Sequence, residues 1–527
     1  MAERFAFFGL ASNLIMYLTN VLHEPTGTAA KNVNTWVGIS NIFPLLGAFI
    51  ADSFLGRFNT ILLSSLIYIM GMVLLSLAVS VIPLHYREAV FFTALYILTI
   101  GESGHKPCVQ TFAADQFDDN NTQEREAKSS FFNWWYLGTV IGASAAVLVV
   151  IYIQENVGWA VGFGVLAGAL AMALLLFLVG IKRYRRQSPA GSPFTTLVQV
   201  FLAAARKWRV SETHGGRGIC YGSDDKITTT DQGHKSGQSY AHTNQLRFLD
   251  KAMIMDGIDY SSETRNPWRL CSLNQVEEVK LVIRLIPIWL SCLIFSAVLV
   301  QLHTFYTKQS STMIRSLGPN FQIPPASLQS LVGLTILITV PVYDQIFIPL
   351  ARKFTGRPSG ITMLQRIGIG LFLSILNMGV SALVEGKRVK TASEHGLMDS
   401  PKAIVPMSVW WLLPQYMLSG ISDVFTVVGL QELFYDQVPE SMRSMGAAAH
   451  VSVLGVGSFI NSALISIVQE ISSRNGSEIW LGDNLNRSHL HHFYWFMAGL
   501  SALNLLVYVW IAKGFMYKKV VVEDETN

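Results

Sequence analysis

Charge is scarce in this sequence. Only 14% of its 527 residues are Asp, Glu, Lys or Arg, against about 25% in soluble globular chains, which argues against an ordinary water-soluble fold. Cysteine is scarcer. Cys108, Cys220, Cys271 and Cys292 show no metal or redox spacing, so no disulfide framework is read. No Walker loop, Gly-x-Ser-x-Gly, His-Glu-x-x-His or nucleotide fingerprint occurs, which disfavours an ATP-driven pump and a membrane hydrolase. Met-Ala-Glu-Arg-Phe leads straight into an apolar run without a basic n-region, so no cleavable signal peptide is read. The formal charge of +4 is unremarkable, and no nucleic-acid partner is expected.

What fills the chain is apolar: 51% of the residues, with a mean hydropathy of +0.38. Thr60–Pro83 and Trp159–Ile181 contain no charge, and each exceeds the roughly 20 residues that cross a bilayer core. Hydropathy predicts twelve spans. The first six run Phe5–Leu22, Val33–Ala51, Thr60–Ile82, Val90–Phe112, Phe131–Ile153 and Trp159–Ile181. The second six run Val279–Tyr306, Ser327–Phe347, Leu364–Val384, Ser408–Phe434, Met445–Val468 and Phe493–Ile511. The expected fold is an all-α membrane protein with twelve transmembrane helices in two six-helix bundles, 1–181 and 279–512. Between them lies a polar linker, 182–278, with a tail at 513–527. The Gly/Ser/Thr/Asp/His-rich run Ser211–Thr243 cannot bury a core and is expected to be largely disordered. Arg247–Ala252 is expected to form one amphipathic turn.

Positive charge at Lys182–Arg186, Arg352, Lys353, Arg357, Lys513, Lys518 and Lys519 falls on one side of this count, which is therefore expected to be cytosolic. Lys387, Arg388 and Lys390 stand against it on the other side. Asn475-Gly-Ser and Asn486-Arg-Ser are glycosylation sequons on the expected non-cytosolic side, usable by topology. Asn120-Asn-Thr also matches but falls on the cytosolic side. A faint repeat relates the halves. Asp52 with Gly56-Arg57 follows span two, and Asp344 with Gly356-Arg357 follows span eight. Asp115-Gln follows span four, and Asp436-Gln follows span ten. Repeated halves are the usual build of secondary transporters, with the solute site between them.

A few charges sit where lipid makes them costly. Lys106, in Gly101-Glu-Ser-Gly-His-Lys-Pro107, carries an insertion cost of about 2.5–3.5 kcal/mol at a helix centre. It needs a partner or a water-filled cavity. Pro107 is expected to break the helix locally. Glu432 and Asp423 follow apolar runs late in span ten, and either could face a cavity and carry a proton. Asp52 and Arg57 flank a tight glycine turn and read as a gate or a bridge between helices. His489, His491 and His492 precede span twelve, make no convincing metal motif, and no metal is expected.

These stretches resemble the plant nitrate/peptide transporter family, the plant branch of the proton-dependent oligopeptide transporters in the major facilitator superfamily. The matching segments are Glu-Arg-Phe-Ala-Phe-Phe-Gly at 3–9, Ala-Asp-Ser-Phe-Leu-Gly-Arg at 51–57 and Phe-Phe-Asn-Trp-Trp-Tyr at 131–136. They continue with Arg-Phe-Leu-Asp-Lys-Ala at 247–252, Val-Glu-Glu-Val-Lys at 276–280, Leu-Gln-Arg-Ile-Gly at 364–368 and Phe-Tyr-Asp-Gln-Val-Pro at 434–439. The resemblance implies a proton-coupled symporter of a small solute, such as nitrate, a di- or tripeptide or a plant metabolite, working by alternating access. The alternatives are an uncoupled facilitator and a sensor of the same fold.

It implies that Glu3 and Arg4 are the last two positions of a Glu-x-x-Glu-Arg coupling motif. The first glutamate would fall one residue before Met1, so the expectation is either a sequence that starts at an internal methionine of a longer chain or a short form with impaired coupling. Lys106 matches the span-four lysine that pairs with this motif. Glu432 matches a span-ten glutamate that contacts solute or a salt-bridge partner. Gln301, Phe7, Phe8 and Trp135 are further candidates for lining the solute site. Leu299 stands where one branch has a nitrate-binding histidine, and Ala11 where bacterial peptide carriers have an arginine. Protons are the expected coupling ion, with no other cofactor. The expected partners are the solute and the lipid bilayer of the plasma or vacuolar membrane.

Overall fold

The computed structural model describes residues 1–114, 116–117, 138–186, 193–209, 239–255, 266–318, 321–356, 360–401, 403–438, 443–474, 480–518 and 520–521. Nine helices among them are long and apolar enough to cross a membrane, and a pair bent by 45°, Leu273–Ser291 with Leu293–Ser311, makes a tenth. Span one and span four complete the expected order. Span four, Leu84–Ala114, is a continuous helix whose polar run at Gly101–Pro107 dilutes its hydropathy. The helix passes through Pro107, where a local break was expected.

Span one is broken into Ala2–Ala11 and Leu14–Asn20. A break inside a membrane frees carbonyls that lipid cannot satisfy. Two buried glutamines repair it. Gln154 of span five, Gly138–Asn156, donates to the Gly9 carbonyl at 2.9 Å and accepts from Asn13 Nδ2 at 3.1 Å. Gln329 of span eight, Pro325–Thr355, donates to the Ser12 carbonyl at 3.0 Å. The second bundle thus holds the kink of the first.

The halves repeat in backbone as well as in sequence. Span two, Thr26–Leu55, ends in a wide π turn over Ala51–Leu55, and span eight carries one at Tyr343–Phe347. Asp52 and Asp344 occupy the second position of their turns. Gly56 (φ 76°) and Gly356 (φ 67°) then reverse the chain in the left-handed region, which L side chains rarely adopt.

Spans two and eleven, the latter Arg443–Arg474, pack closely because each offers a glycine. A Cβ at Gly38 would sit 3.0 Å from the Gly455 carbonyl oxygen, and one at Gly455 would sit 2.8 Å from that of Gly38. On the face opposite the linker the bundles are tied further. Thr26 N–H donates to Asp483 Oδ1 at 2.7 Å, and Lys308 Nζ to Thr19 Oγ1 at 2.9 Å. Ser327 Oγ donates to the Val147 carbonyl at 2.9 Å.

The linker holds more structure than its composition suggested. Helix Pro193–Arg206 buries Val200 and Ala203 against Leu249 and Met253 of a short helix, Arg247–Met253, and against Val276 and Val279 of span seven. The second of these is the turn expected there. Residues 210–238 lie outside the description, but the end of the Ser211–Thr243 stretch is docked. Thr243 gives its N–H and Oγ1 to Glu277 at 3.0 and 2.7 Å, and Lys280 pairs with Glu277 and Asp250 at 2.8 and 2.6 Å. Ser239–Tyr240 pairs antiparallel with Val520–Val521 of the tail.

Span nine runs Met363–Glu394, ten residues beyond the expected Val384. Arg388 is therefore no loop charge. It lies fully buried in a bidentate pair with Glu385, at 2.8 and 2.6 Å, which removes it from the charge evidence against the predicted orientation. Its remaining donors reach Asn486 Oδ1 at 2.8 Å and the Leu485 carbonyl at 2.7 Å. Asn486 is itself buried, and its Nδ2 donates to the Leu397 and Ser400 carbonyls. The expectation that Asn486 carries a glycan is corrected here, because an amide enclosed on all sides leaves no room for a sugar. Asn475 lies outside the described residues.

Candidate proton and solute site

A cavity of about 240 Å³ lies inside the first bundle, lined among others by Glu3, Arg4, Tyr68, His105, Lys106 and Thr139. The first helix of span one presents Glu3, and Arg4 Nε lies 3.2 Å from Glu3 Oε2. One helical turn separates Glu102 from Lys106 on span four, and the two form an ion pair with side chains 0% and 6% exposed. Lys106 Nζ also lies 4.1 Å above the Phe7 ring. Phe7 stacks on Trp36 at 5.6 Å, and Trp36 Nε1 is fixed by Thr99 Oγ1 at 2.9 Å. The lysine is thus held by a buried carboxylate one turn away and an aromatic face beside it.

The structure places Glu3, Arg4 and Lys106 on the lining of one cavity inside the first bundle, where a cavity between the halves was expected. The ion-pair partner it supplies for Lys106 is Glu102, where Glu3 or Arg4 was expected. The signal was present in the sequence, since residues four apart share a helix face. Glu3 keeps one carboxylate oxygen buried without a hydrogen-bond partner among the described residues.

Around the break in span one lies a second polar group. Gln329 also donates to Thr307 Oγ1 at 2.9 Å. Phe8 faces His303 at 6.5 Å. Gln301 is fully buried and donates to Asn461 Oδ1 at 2.9 Å, linking spans seven and eleven, while its own Oε1 meets no donor among the described residues. Trp135 lies outside the description, as do the Asp52 side chain and Arg357. Arg57 opens span three, Arg57–Ser80.

Glu432 does not face a buried cavity. Its side chain is 53% exposed and accepts from Arg366 Nη1 at 3.0 Å. Arg366 also donates to the Val424 carbonyl and stacks 4.3 Å over Tyr343. Of the two outcomes the resemblance implied, Glu432 shows the salt-bridge partner, and it joins spans nine and ten near the linker face. Asp423, one of the two span-ten carboxylates considered, has an oxygen buried without a donor among the described residues. Such an oxygen is costly unless protonated or met by a solute.

Two bundles around a kinked first span, with buried ion pairs in apolar helices, are the build of a membrane transporter. A sequence profile described as the POT family matches residues 58–481. The chain is 57% identical to Protein NRT1/PTR FAMILY 5.4 of Arabidopsis thaliana over 529 residues, covering all of this chain and 94% of that protein. It is 46% identical to Protein NRT1/PTR FAMILY 5.10 of the same plant, covering 98% and 91%. Among solved structures it is similar to an auto-inhibited POT family peptide transporter (TM-score 0.72, 20% identity, 100% and 96% covered). It is also similar to the POT family transporter PepTSo (TM-score 0.70, 22% identity, 98% and 96% covered). The chain belongs to the POT family, and its fold is the two-bundle fold of the major facilitators.

Proposed function

We propose that this protein is a proton-coupled symporter of a small anionic or zwitterionic solute, working by alternating access. The observation that carries the reading is the buried Glu102–Lys106 pair in one cavity with Glu3 and Arg4. A buried ion pair is held together by mutual charge, and removing one charge strands the other at a cost of about 3–5 kcal/mol. Protonation of Glu102 does this reversibly. Lys106 is then released to Glu3 or to a negative group on the solute. Proton and solute compete for the same cation, which is the elementary requirement for coupling. The far-face ties between Thr26 and Asp483 and between Lys308 and Thr19 support a cycle whose present state is closed on that side and opens towards the linker. By the charge pattern, that side is cytosolic.

The test is uptake by the purified protein in vesicles, from a panel of nitrate, dipeptides and small plant metabolites. Rates are compared at acidic and neutral pH, with and without a proton ionophore. Uptake driven by an inward proton gradient and abolished by the ionophore is the expected result. Uptake insensitive to both would identify a facilitator, and specific binding without uptake a sensor.

A further inference from the structure

We infer that His489, His491 and His492 form a transition-metal site at the face opposite the linker, of the kind that takes Zn²⁺, and that metal there restrains the outer gate. The three imidazoles lie where the loop from Trp480 enters span twelve, Leu490–Lys513. One ring nitrogen from each falls within 4.8 Å of the others. Rings His489 and His492 stack at 5.2 Å and 17°, and His491 and His492 lie 4.2 Å apart. His489 and His491 are half-buried and His492 is exposed, so an ion can reach the group from water.

Imidazole nitrogens bind zinc at about 2.0–2.1 Å, which puts two tetrahedral ligands about 3.4 Å apart. Rotation of the imidazole side chains would have to close the remaining gap. Nitrogen donors select zinc and copper over calcium or magnesium, which require oxygen. Three protein ligands leave a fourth position for water or an anion. Sequence spacing gave no motif, because His489 is the helix cap while His491 and His492 lie in the first turn. The partial positive charge of a helix N-terminus opposes a dication, but it is a small term beside three nitrogen–metal bonds.

The consequence follows from what the loop holds. Asp483 takes the N–H of Thr26 from the first bundle, and Asn486 and Leu485 take Arg388 of the second. Asn484 and Ser488 stiffen the stretch between, with Ser488 Oγ donating to the Asn484 carbonyl at 2.8 Å. A metal there would lock His489, the loop's last residue, to the first turn of span twelve and so stiffen the anchor from which the loop reaches Thr26. This gating consequence rests on the alternating-access reading; the metal site itself does not.

The experiment uses the full chain, purified without a histidine tag, titrated with zinc chloride by calorimetry and with Co²⁺ by visible absorption. One equivalent of zinc and a tetrahedral cobalt spectrum are expected. His491→Ala/His492→Ala, and separately His489→Gln, should weaken binding at least tenfold while the metal-free unfolding temperature stays put. Absence of stoichiometric binding, or equal affinity in both variants, overturns the site. Zinc should slow uptake several-fold in the unaltered protein and leave the double variant untouched. Bound zinc with unchanged uptake overturns the gating. Binding as expected with no uptake under any condition counts instead against the transporter reading.

Discussion

Glu102 and Lys106 meet one helical turn apart on span four, both nearly inaccessible to solvent. Lys106→Ala leaves Glu102 as an uncompensated buried carboxylate, and Glu102→Gln does the same to Lys106. Each is expected to lower proton-driven uptake at least tenfold at matched membrane abundance. Glu102→Gln with Lys106→Met removes both charges and should restore folding without restoring the response to pH. Full proton-driven uptake by Lys106→Ala would sink the coupling mechanism.

Glu432 gives a different expectation from the one its sequence position suggested. A carboxylate 53% exposed and paired with one arginine contributes at most about 1 kcal/mol once solvent screening is counted. Glu432→Gln should therefore keep most of the uptake and nearly all of the stability. Asp423→Asn is nearly isosteric and acts on a buried oxygen with no donor among the described residues. It should fold normally and flatten the dependence of uptake on pH. The two profiles measured side by side decide which span-ten carboxylate matters; a flattened profile in Glu432→Gln alone would reverse the assignment.

Arg388 and Glu385 should matter for stability. Both are fully buried, and Arg388 also holds Leu485 and Asn486. Arg388→Ala should cost about 3–5 kcal/mol, the usual penalty for breaking a buried pair from one side, read as a lower unfolding temperature in detergent. Asn486→Gln should destabilise for a related reason and leave electrophoretic mobility before and after glycosidase unchanged. A mobility shift confined to that variant would show that the site is glycosylated after all.

The spans, the repeat and Lys106 were legible because each is a local contrast: a charge in an apolar run, or a glycine turn at a matching place. Gln154 and Gln329 were not, since an amide in an apolar helix has no sequence mark of the distant carbonyl it caps. Arg388 was misplaced because hydropathy ended span nine at the first cluster of charge. The spacing of Glu385 and Arg388, three apart on one helix face, was the overlooked sign that two of those charges cancel. Glu432 was given a cavity because a carboxylate after an apolar run is costly in lipid, whereas Arg366, 66 residues away, decides what it touches.

The linker yields the last prediction. Residues 211–238 carry few apolar side chains, while 239–253 is anchored from both sides. On one side Leu249, Ala252 and Met253 fill the groove between Pro193–Arg206 and span seven. On the other, buried Lys280 donates to the Thr243 carbonyl at 2.9 Å and pairs with Asp250 and Glu277. A deletion of 211–238 bridged by a short Gly-Ser segment should therefore transport at close to the unaltered rate. Lys280→Ala strands two carboxylates in the same groove and should lower the unfolding temperature, with Thr243 and the short helix released to protease. Limited proteolysis of the two variants separates the effects: early cleavage near 243 is expected in Lys280→Ala and not in the deletion. Loss of uptake in the deletion at normal surface abundance would show that the polar stretch does more than connect.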